Sequence, residues 1–236
     1  MRWIGSILVA LLVVVGLGAP LPAQPVAADG PHFTPDGKVI PPADYRSWVF
    51  VSTGFSMAYP AAASAKAAAG VAPFRGHLPL AVAAAGGGDV FQNVFVTPAA
   101  YAAFLRTGLW PDQTMFVLEI RQAKDRTAIV SGPGPGLANG SVQGDLLAVE
   151  AELRDDARYP ATKWKWVTFT QAGLPPVPTL PWADNQPAGH ACFQCHTAHG
   201  AVQKSMVEFY PVLCPLAAHK RTLNPGFTLQ NCSAPG

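Results

Sequence analysis

Beyond its first 28 residues the sequence has no run of about 20 apolar residues, the length a membrane-spanning helix needs, so no later segment is expected to cross a bilayer. Charge is sparse: 13% of the residues are Asp, Glu, Lys or Arg, and the formal net charge is +2. No basic stripe exists to hold a phosphate backbone, which argues against nucleic acid as a partner. No internal repeat is visible, which speaks against a solenoid or an array. Cysteine is scarcest of all, four in 236 residues, yet two of the four stand between His190 and His199 in "PAGHACFQCHTAHG". Proline and glycine, by contrast, are plentiful at 24 and 22 residues, and predict short elements joined by many turns.

The N-terminal "MRWIGSILVALLVVVGLGAPLPAQPVAADG" has a positive residue, Arg2, then an apolar run from Ile4 to about Leu17, then small residues. The run is too short to span a bilayer, and Val26-Ala27-Ala28 offers a cleavage site, so residues 1–28 are expected to be a signal peptide. The mature chain is then a periplasmic or otherwise exported protein, soluble once cleaved.

Residues 29–44 read as an extended leader with a turn at Pro35-Asp36-Gly37. "YRSWVFVSTG", "VFQNVFV", "QTMFVLEIRQA", "SVQGDLLAVEAELRD" and "KWKWVTFT" have the β-branched, aromatic and alternating character of strands. In the third, Met115, Val117 and Glu119 fall on one face and Phe116, Leu118 and Ile120 on the other. "TPAAYAAFLRTG" predicts a helix with Thr97 as N-cap, Pro98 at the first helical position and Gly108 as the stop. "SMVEFYPVL" predicts a short helix containing Met206. Residues 58–89 form an Ala/Gly-rich insertion or loop, and "QAGLPPVPTLPWADNQPAG" a proline-rich connector. The fold class expected is α+β: a mainly antiparallel β-sheet with flanking helices in one domain over 45–213, followed by a tail over 214–236.

Cys192, Cys195 and His196 form C-x-x-C-H, the spacing of a c-type haem attachment site. Two thiols at this separation reach the two vinyl groups of one haem, and the next histidine becomes an axial ligand of the iron. The same residues also serve other chemistries. Zinc could use both thiols with His190 or His199, although the second ligand pair usual for such sites is missing. A redox dithiol would open a helix after a strand, whereas here a proline-rich connector precedes it. A disulfide between Cys192 and Cys195 would close a very small loop. One covalently attached haem c is the reading preferred. Cys214 and Cys232 are expected to pair with each other in an oxidising compartment.

Methionine is scarce too, and this bears on the other axial position. After the signal peptide only Met57, Met115 and Met206 remain. Met206 is ten residues from His196 and is expected to pack, and His199 is too close along the chain to reach the opposite haem face. The iron is therefore expected to be five-coordinate, with an open distal side.

"YRSWVFVSTG", "NVFVTPAAYAAFLRTGLWPDQTMFVLEIR", "GDLLAVEAELRD" and "ACFQCHTAHGAVQKSMVEFYPVL" together resemble the cytochrome P460 and cytochrome c′-β family over most of residues 45–213. The resemblance implies an antiparallel β domain with flanking helices, a homodimer, and one five-coordinate c-haem. In hydroxylamine-oxidising members a lysine on the strand after "TG-x-x-x-D" is bonded to the haem. Here that position is Leu118, and the strand has no lysine before Lys124. A distal-pocket arginine falls at Gln92, another departure, whereas the pocket glutamate is matched by Glu150. Lacking the cross-linking lysine, the chain looks closer to the c′-β type, which binds nitric oxide and other diatomic gases. The alternatives are a hydroxylamine or nitric oxide oxidoreductase and a simple electron carrier, with Met57 or Met206 as axial ligand in the last. Phe91, Phe95 and Phe116 are candidates to cap the distal face and equally ordinary core aromatics. Glu150 and Gln92 have the plain alternative of surface strand positions.

Overall fold

In a computed structural model, residues 29–57, 89–125, 140–170 and 191–232 are described. The expected signal peptide, most of the Ala/Gly-rich segment and the proline-rich connector lie outside them.

Five strands form one antiparallel sheet in the order of the chain: β1 (Val49–Phe55), β2 (Val90–Val96), β3 (Met115–Asp125), β4 (Ser141–Arg154) and β5 (Trp164–Thr170). The described residues hold three α-helices, α1 (Pro98–Thr107), α2 (Ala191–His199) and α3 (Leu213–Lys220). This is the mainly antiparallel α+β fold expected. Every strand predicted from alternation is present. Sequential strands pair with their neighbours because each connection between antiparallel strands can be direct.

Alternation sorts the strand side chains onto two covered faces. Met115, Val117, Val149, Ala151, Leu153, Val167 and Phe169 are buried on one, beneath Val39 and Tyr45 of the N-terminal segment. Val96, Phe116, Trp164 and Trp166 are buried on the other, against Ala100 and Phe104 of α1 and Leu213, Cys214 and Ala217 of α3. The first is called here the leader face and the second the helical face. Because both faces are covered, "KWKWVTFT" alternates between two cores rather than between core and water.

The leader folds back on itself: Phe33 bridges Val39, and Gly37, at φ 84°, makes the turn. Asp29 performs the capping expected of Thr97. Its Oδ2 accepts the Ala99 N–H at 3.0 Å, whereas the Thr97 hydroxyl is buried without a partner. Thr97 keeps the backbone position of a cap, its carbonyl accepting the Tyr101 N–H, so the sequence located the boundary but not the side chain that satisfies it. Gly108 ends α1 in the left-handed conformation, as expected.

"SMVEFYPVL" is not one helix. Val207–Phe209 is a single 3₁₀ turn, Tyr210 is extended, and α3 begins at Leu213. Pro211 is the cause, since the residue before a proline is driven out of the helical region. Met206 therefore precedes a turn rather than lying within a helix. The segment after Leu213, read as a tail, carries α3 and packs into the helical-face core, where Cys214 and Cys232 are joined by a disulfide. Among the described residues no helix is long and apolar enough to cross a membrane.

Candidate functional site

α2 packs on the helical face of the sheet at β5. Trp166 is the contact, its ring centroid 6.0 Å from that of Phe193 and 4.9 Å from that of His196. Cys192, half-buried, and Cys195, buried, are three residues apart on α2 and so fall on neighbouring positions of one helix face. Neither is in a disulfide.

The loop that follows sets the orientation of His196. Gln203 and Lys204 both have positive φ, 51° and 74°, and turn the chain back under α2. The Lys204 carbonyl then lies 2.9 Å from His196 Nδ1. A carbonyl only accepts, so Nδ1 carries the proton and the lone pair is on Nε2, the state a metal-ligating imidazole needs. Gly200 permits the approach: a Cβ there would stand 2.4 Å from the Lys204 carbonyl carbon and 2.7 Å from the His196 oxygen. "TGLWPD" fastens the loop from outside. Gln203 Oε1 accepts the Trp110 backbone N–H at 2.7 Å, and the Trp110 indole donates to Ser205 Oγ at 2.7 Å.

Two carboxyls stand behind the histidine. Glu152 Oε2 is 3.5 Å from Nδ1, and Glu208 accepts the Ala201 N–H at 3.0 Å. Burial alone would lower the basicity of His196; Glu152 first, then the Lys204 carbonyl and Glu208, more than reverse this, and the net shift is upward. Burial raises Glu208 to about 7. It also raises the Cys192 thiol to about 12, with Glu150 adding to the effect, and the Cys195 thiol to about 11. Burial thus favours the protonated thiol at both positions, the opposite of what a nucleophilic dithiol requires. Among the described residues no three His, Cys, Asp or Glu converge as a metal-binding group.

Leu118 and Glu150 lie side by side on the sheet. They are cross-strand partners, and with Val94 and Thr168 they form one row across β2, β3, β4 and β5 on the helical face. Glu150 is bonded to Thr168, and its burial pushes it up to about 7, with His196 partly opposing that rise. Its partner Thr168 lies on β5, the strand against which α2 packs through Trp166.

Gln92 lies two residues further along β2, and its amide is engaged elsewhere. Gln92 Oε1 accepts the Met57 N–H at 2.9 Å, so the side chain clamps the chain leaving β1. The Met57 thioether rests over Gly54, the cross-strand partner of Gln92. Phe91 and Phe95 are not on this face. The register places them with Arg121 and Val117, and Phe95 meets Tyr45 edge to face, ring centroids 5.6 Å apart, on the leader face. Phe116 is on the helical face but buried between Trp110 and Trp164. Alternation along "VFQNVFV" separates Phe91 and Phe95 from Gln92, which leaves them the role of ordinary packing aromatics.

The residues fit a c-type haem on three structural grounds. The thiols occupy neighbouring positions of one helix face and neither is in a disulfide. The imidazole, with Nδ1 held by the Lys204 carbonyl, keeps its lone pair on Nε2. The wall beside it contains two of the four buried polar side-chain atoms that have no hydrogen-bond partner among the described residues, Trp166 Nε1 and Glu152 Oε1. Glu152, Trp166, Gly200 and the Lys204 carbonyl were not marked from sequence as parts of the site. Glu152 alone had a signal, since it shares the strand face of Glu150. Among curated proteins none matches the chain. The family model described as Cytochrome P460 matches residues 42–207, from the leader's end through all five strands, α2 and the loop that orients His196, and the chain therefore belongs to the cytochrome P460 family.

Proposed function

We propose that the protein is an exported, homodimeric mono-haem c-type cytochrome of the c′-β type, which binds nitric oxide or another small diatomic ligand at an open iron site. Membership of the cytochrome P460 family supports a haem cytochrome, and the local geometry supports the finer reading. Cys192 and Cys195 would hold the haem by thioethers, and His196 Nε2 would be the proximal ligand. The group supplies an iron that cycles between ferric and ferrous states and takes up a ligand on its free face.

The observation that carries the reading is the row Val94–Leu118–Glu150–Thr168 beside α2. By the resemblance, Leu118 takes the place of the haem-bonded lysine of hydroxylamine-oxidising relatives, and a leucine side chain has no amine to form that bond. It offers an apolar wall, which suits a neutral diatomic. Glu150, held by Thr168 and poised near neutrality, retains a proton-transfer capacity beside the apolar positions. That ionisable group favours a second reading, oxidation of hydroxylamine or nitric oxide.

Purified holoprotein tests both. The expected result is a five-coordinate high-spin spectrum, uptake of carbon monoxide by the reduced form, and negligible turnover of hydroxylamine with an artificial acceptor. A low-spin six-coordinate spectrum in both oxidation states would defeat the open site and favour the electron carrier. In that case Met57→Ala and Met206→Ala identify the sixth ligand. Steady hydroxylamine turnover that is lost in Glu150→Gln would favour the oxidase.

A further inference from the structure

Glu152 is a carboxylate placed where one is expensive. It is 8% exposed, on β4, between the sheet and α2. Among the described residues its only ion pair is with His196, at 3.5 Å from Nδ1. Its second oxygen, Oε1, is buried without a hydrogen-bond partner. A buried acceptor left unmatched costs stability, and a leucine or glutamine at this position would remove the burden of a buried charge. The fold does not require the group as a cap, a clamp or a partner for arginine: Arg154 on the same strand pairs with Asp156 instead. What Glu152 does have is a fixed relation to the imidazole. Its cross-strand partner Trp166 packs its ring against His196, so strand register holds the carboxylate and the aromatic wall together against one side chain.

We propose that Glu152 is a positioning residue for the proximal ligand: its negative charge behind Nδ1 increases electron donation from His196 to the bound iron and favours the ferric over the ferrous state. The Lys204 carbonyl, at 2.9 Å, is the nearer acceptor and sets the tautomer. It is neutral, however, and by itself gives the imidazole the polarity of an ordinary backbone-bonded ligand. Glu152 adds a carboxylate oxygen at 3.5 Å from the same nitrogen, in a buried site where screening is weak. A histidine polarised in this way binds ferric iron more tightly and strengthens the iron–histidine bond in the ferrous state. The inference rests on His196 being the axial ligand and is independent of which molecule binds the distal side.

Glu152→Gln keeps the size and removes the charge; Glu152→Asp keeps the charge and withdraws it by one methylene. Each variant is made as holoprotein, and two quantities are measured: the reduction potential and the iron–histidine stretching frequency of the ferrous, ligand-free form. Glu152→Gln is expected to raise the reduced-to-oxidised ratio at fixed ambient potential at least tenfold, about 59 mV for a one-electron couple, and to lower the stretching frequency. Glu152→Asp is expected to shift both by less than half as much. A Glu152→Gln ratio within twofold of the parent overturns the proposal, as do equal shifts in the two variants. Loss of haem-loaded protein in both variants also overturns it, by making Glu152 a folding requirement. If the parent protein itself carries no haem, the functional reading fails before either variant is compared.

Discussion

Gly200→Ala separates two opposite expectations. Gly200 follows α2 directly, and its N–H continues the helical pattern to the His196 carbonyl at 3.0 Å. Judged by propensity alone, alanine in such a position should stabilise by up to about 1 kcal/mol. The packing reverses the sign. The new methyl would meet the Lys204 carbonyl carbon at 2.4 Å, and the His196 oxygen and Lys204 Cα at 2.7 Å each. All three are backbone atoms, so no rotamer change relieves the contact, and the loop must move. Overpacking of this kind costs about 1–3 kcal/mol, and displacing the Lys204 carbonyl from His196 Nδ1 forfeits a further hydrogen bond of about 1 kcal/mol. The net expectation is a loss of about 2 kcal/mol, or roughly 4–8 °C in melting temperature for a chain of this size. Thermal unfolding of the holoprotein followed by circular dichroism provides the measurement. An unchanged or raised melting temperature would refute the claim that Gly200 is retained for close approach.

Three further outcomes follow from the same structure. Ser205→Ala leaves the buried Trp110 indole N–H without its 2.7 Å acceptor and is expected to cost about 1–3 kcal/mol in urea unfolding; a change below about 0.5 kcal/mol would mean that the indole finds another partner. On the leader face, Glu119 meets Tyr45, Arg46 and Arg121; although burial opposes ionisation, these partners lower it to about 2 from a reference of 4.5. Its contribution of about 3 kcal/mol is therefore present above pH 4.5 and lost as pH falls through 2, so Glu119→Gln should be destabilised at pH 7 and converge on the parent in acid; a difference that does not vary with pH would exclude linkage as its origin. Replacing Cys214 and Cys232 by serine opens a link of sequence separation 18 and is expected to cost about 2–4 kcal/mol, measured by unfolding with and without reductant; equal stability would place the C-terminal segment outside the cooperative unit.

The sheet was legible in the sequence because strand alternation is a local property. Each of the five strands carries its own period of two, and pairing them in chain order needs no long-range knowledge. Elements whose boundaries depend on a distant partner were less accessible. Asp29 caps α1 across 70 positions, and nothing around Thr97 signals that its hydroxyl is superseded. The helix expected across "SMVEFYPVL" failed for a local reason that was present in the sequence, Pro211, but its apolar spacing outweighed the proline in the reading. Of the two roles open to Phe91, Phe95 and Phe116, the register leaves Phe91 and Phe95 only the ordinary packing one, since they alternate away from the face of Gln92.

The site divides in the same way, and the division has a physical cause. Cys192, Cys195 and His196 are contiguous, and their spacing on a helix is enough to bring them onto neighbouring positions, so a motif can be read without the fold. The groups that determine how His196 behaves are not contiguous with it. Lys204 acts through its backbone carbonyl, which any residue type supplies, and only the pair of positive φ angles at Gln203 and Lys204 aims it. Glu152 acts from β4 through a register set by β5, and Trp110 holds the loop from the turn before β3. Sequence spacing therefore identifies which nitrogen-bearing residue is the ligand candidate, whereas the charge, tautomer and rigidity of that ligand are fixed by three separate segments that meet only in the folded chain. In families that share C-x-x-C-H, differences in redox behaviour should accordingly be sought at strand positions facing Nδ1 and in the loop after the motif, before they are sought in the motif itself.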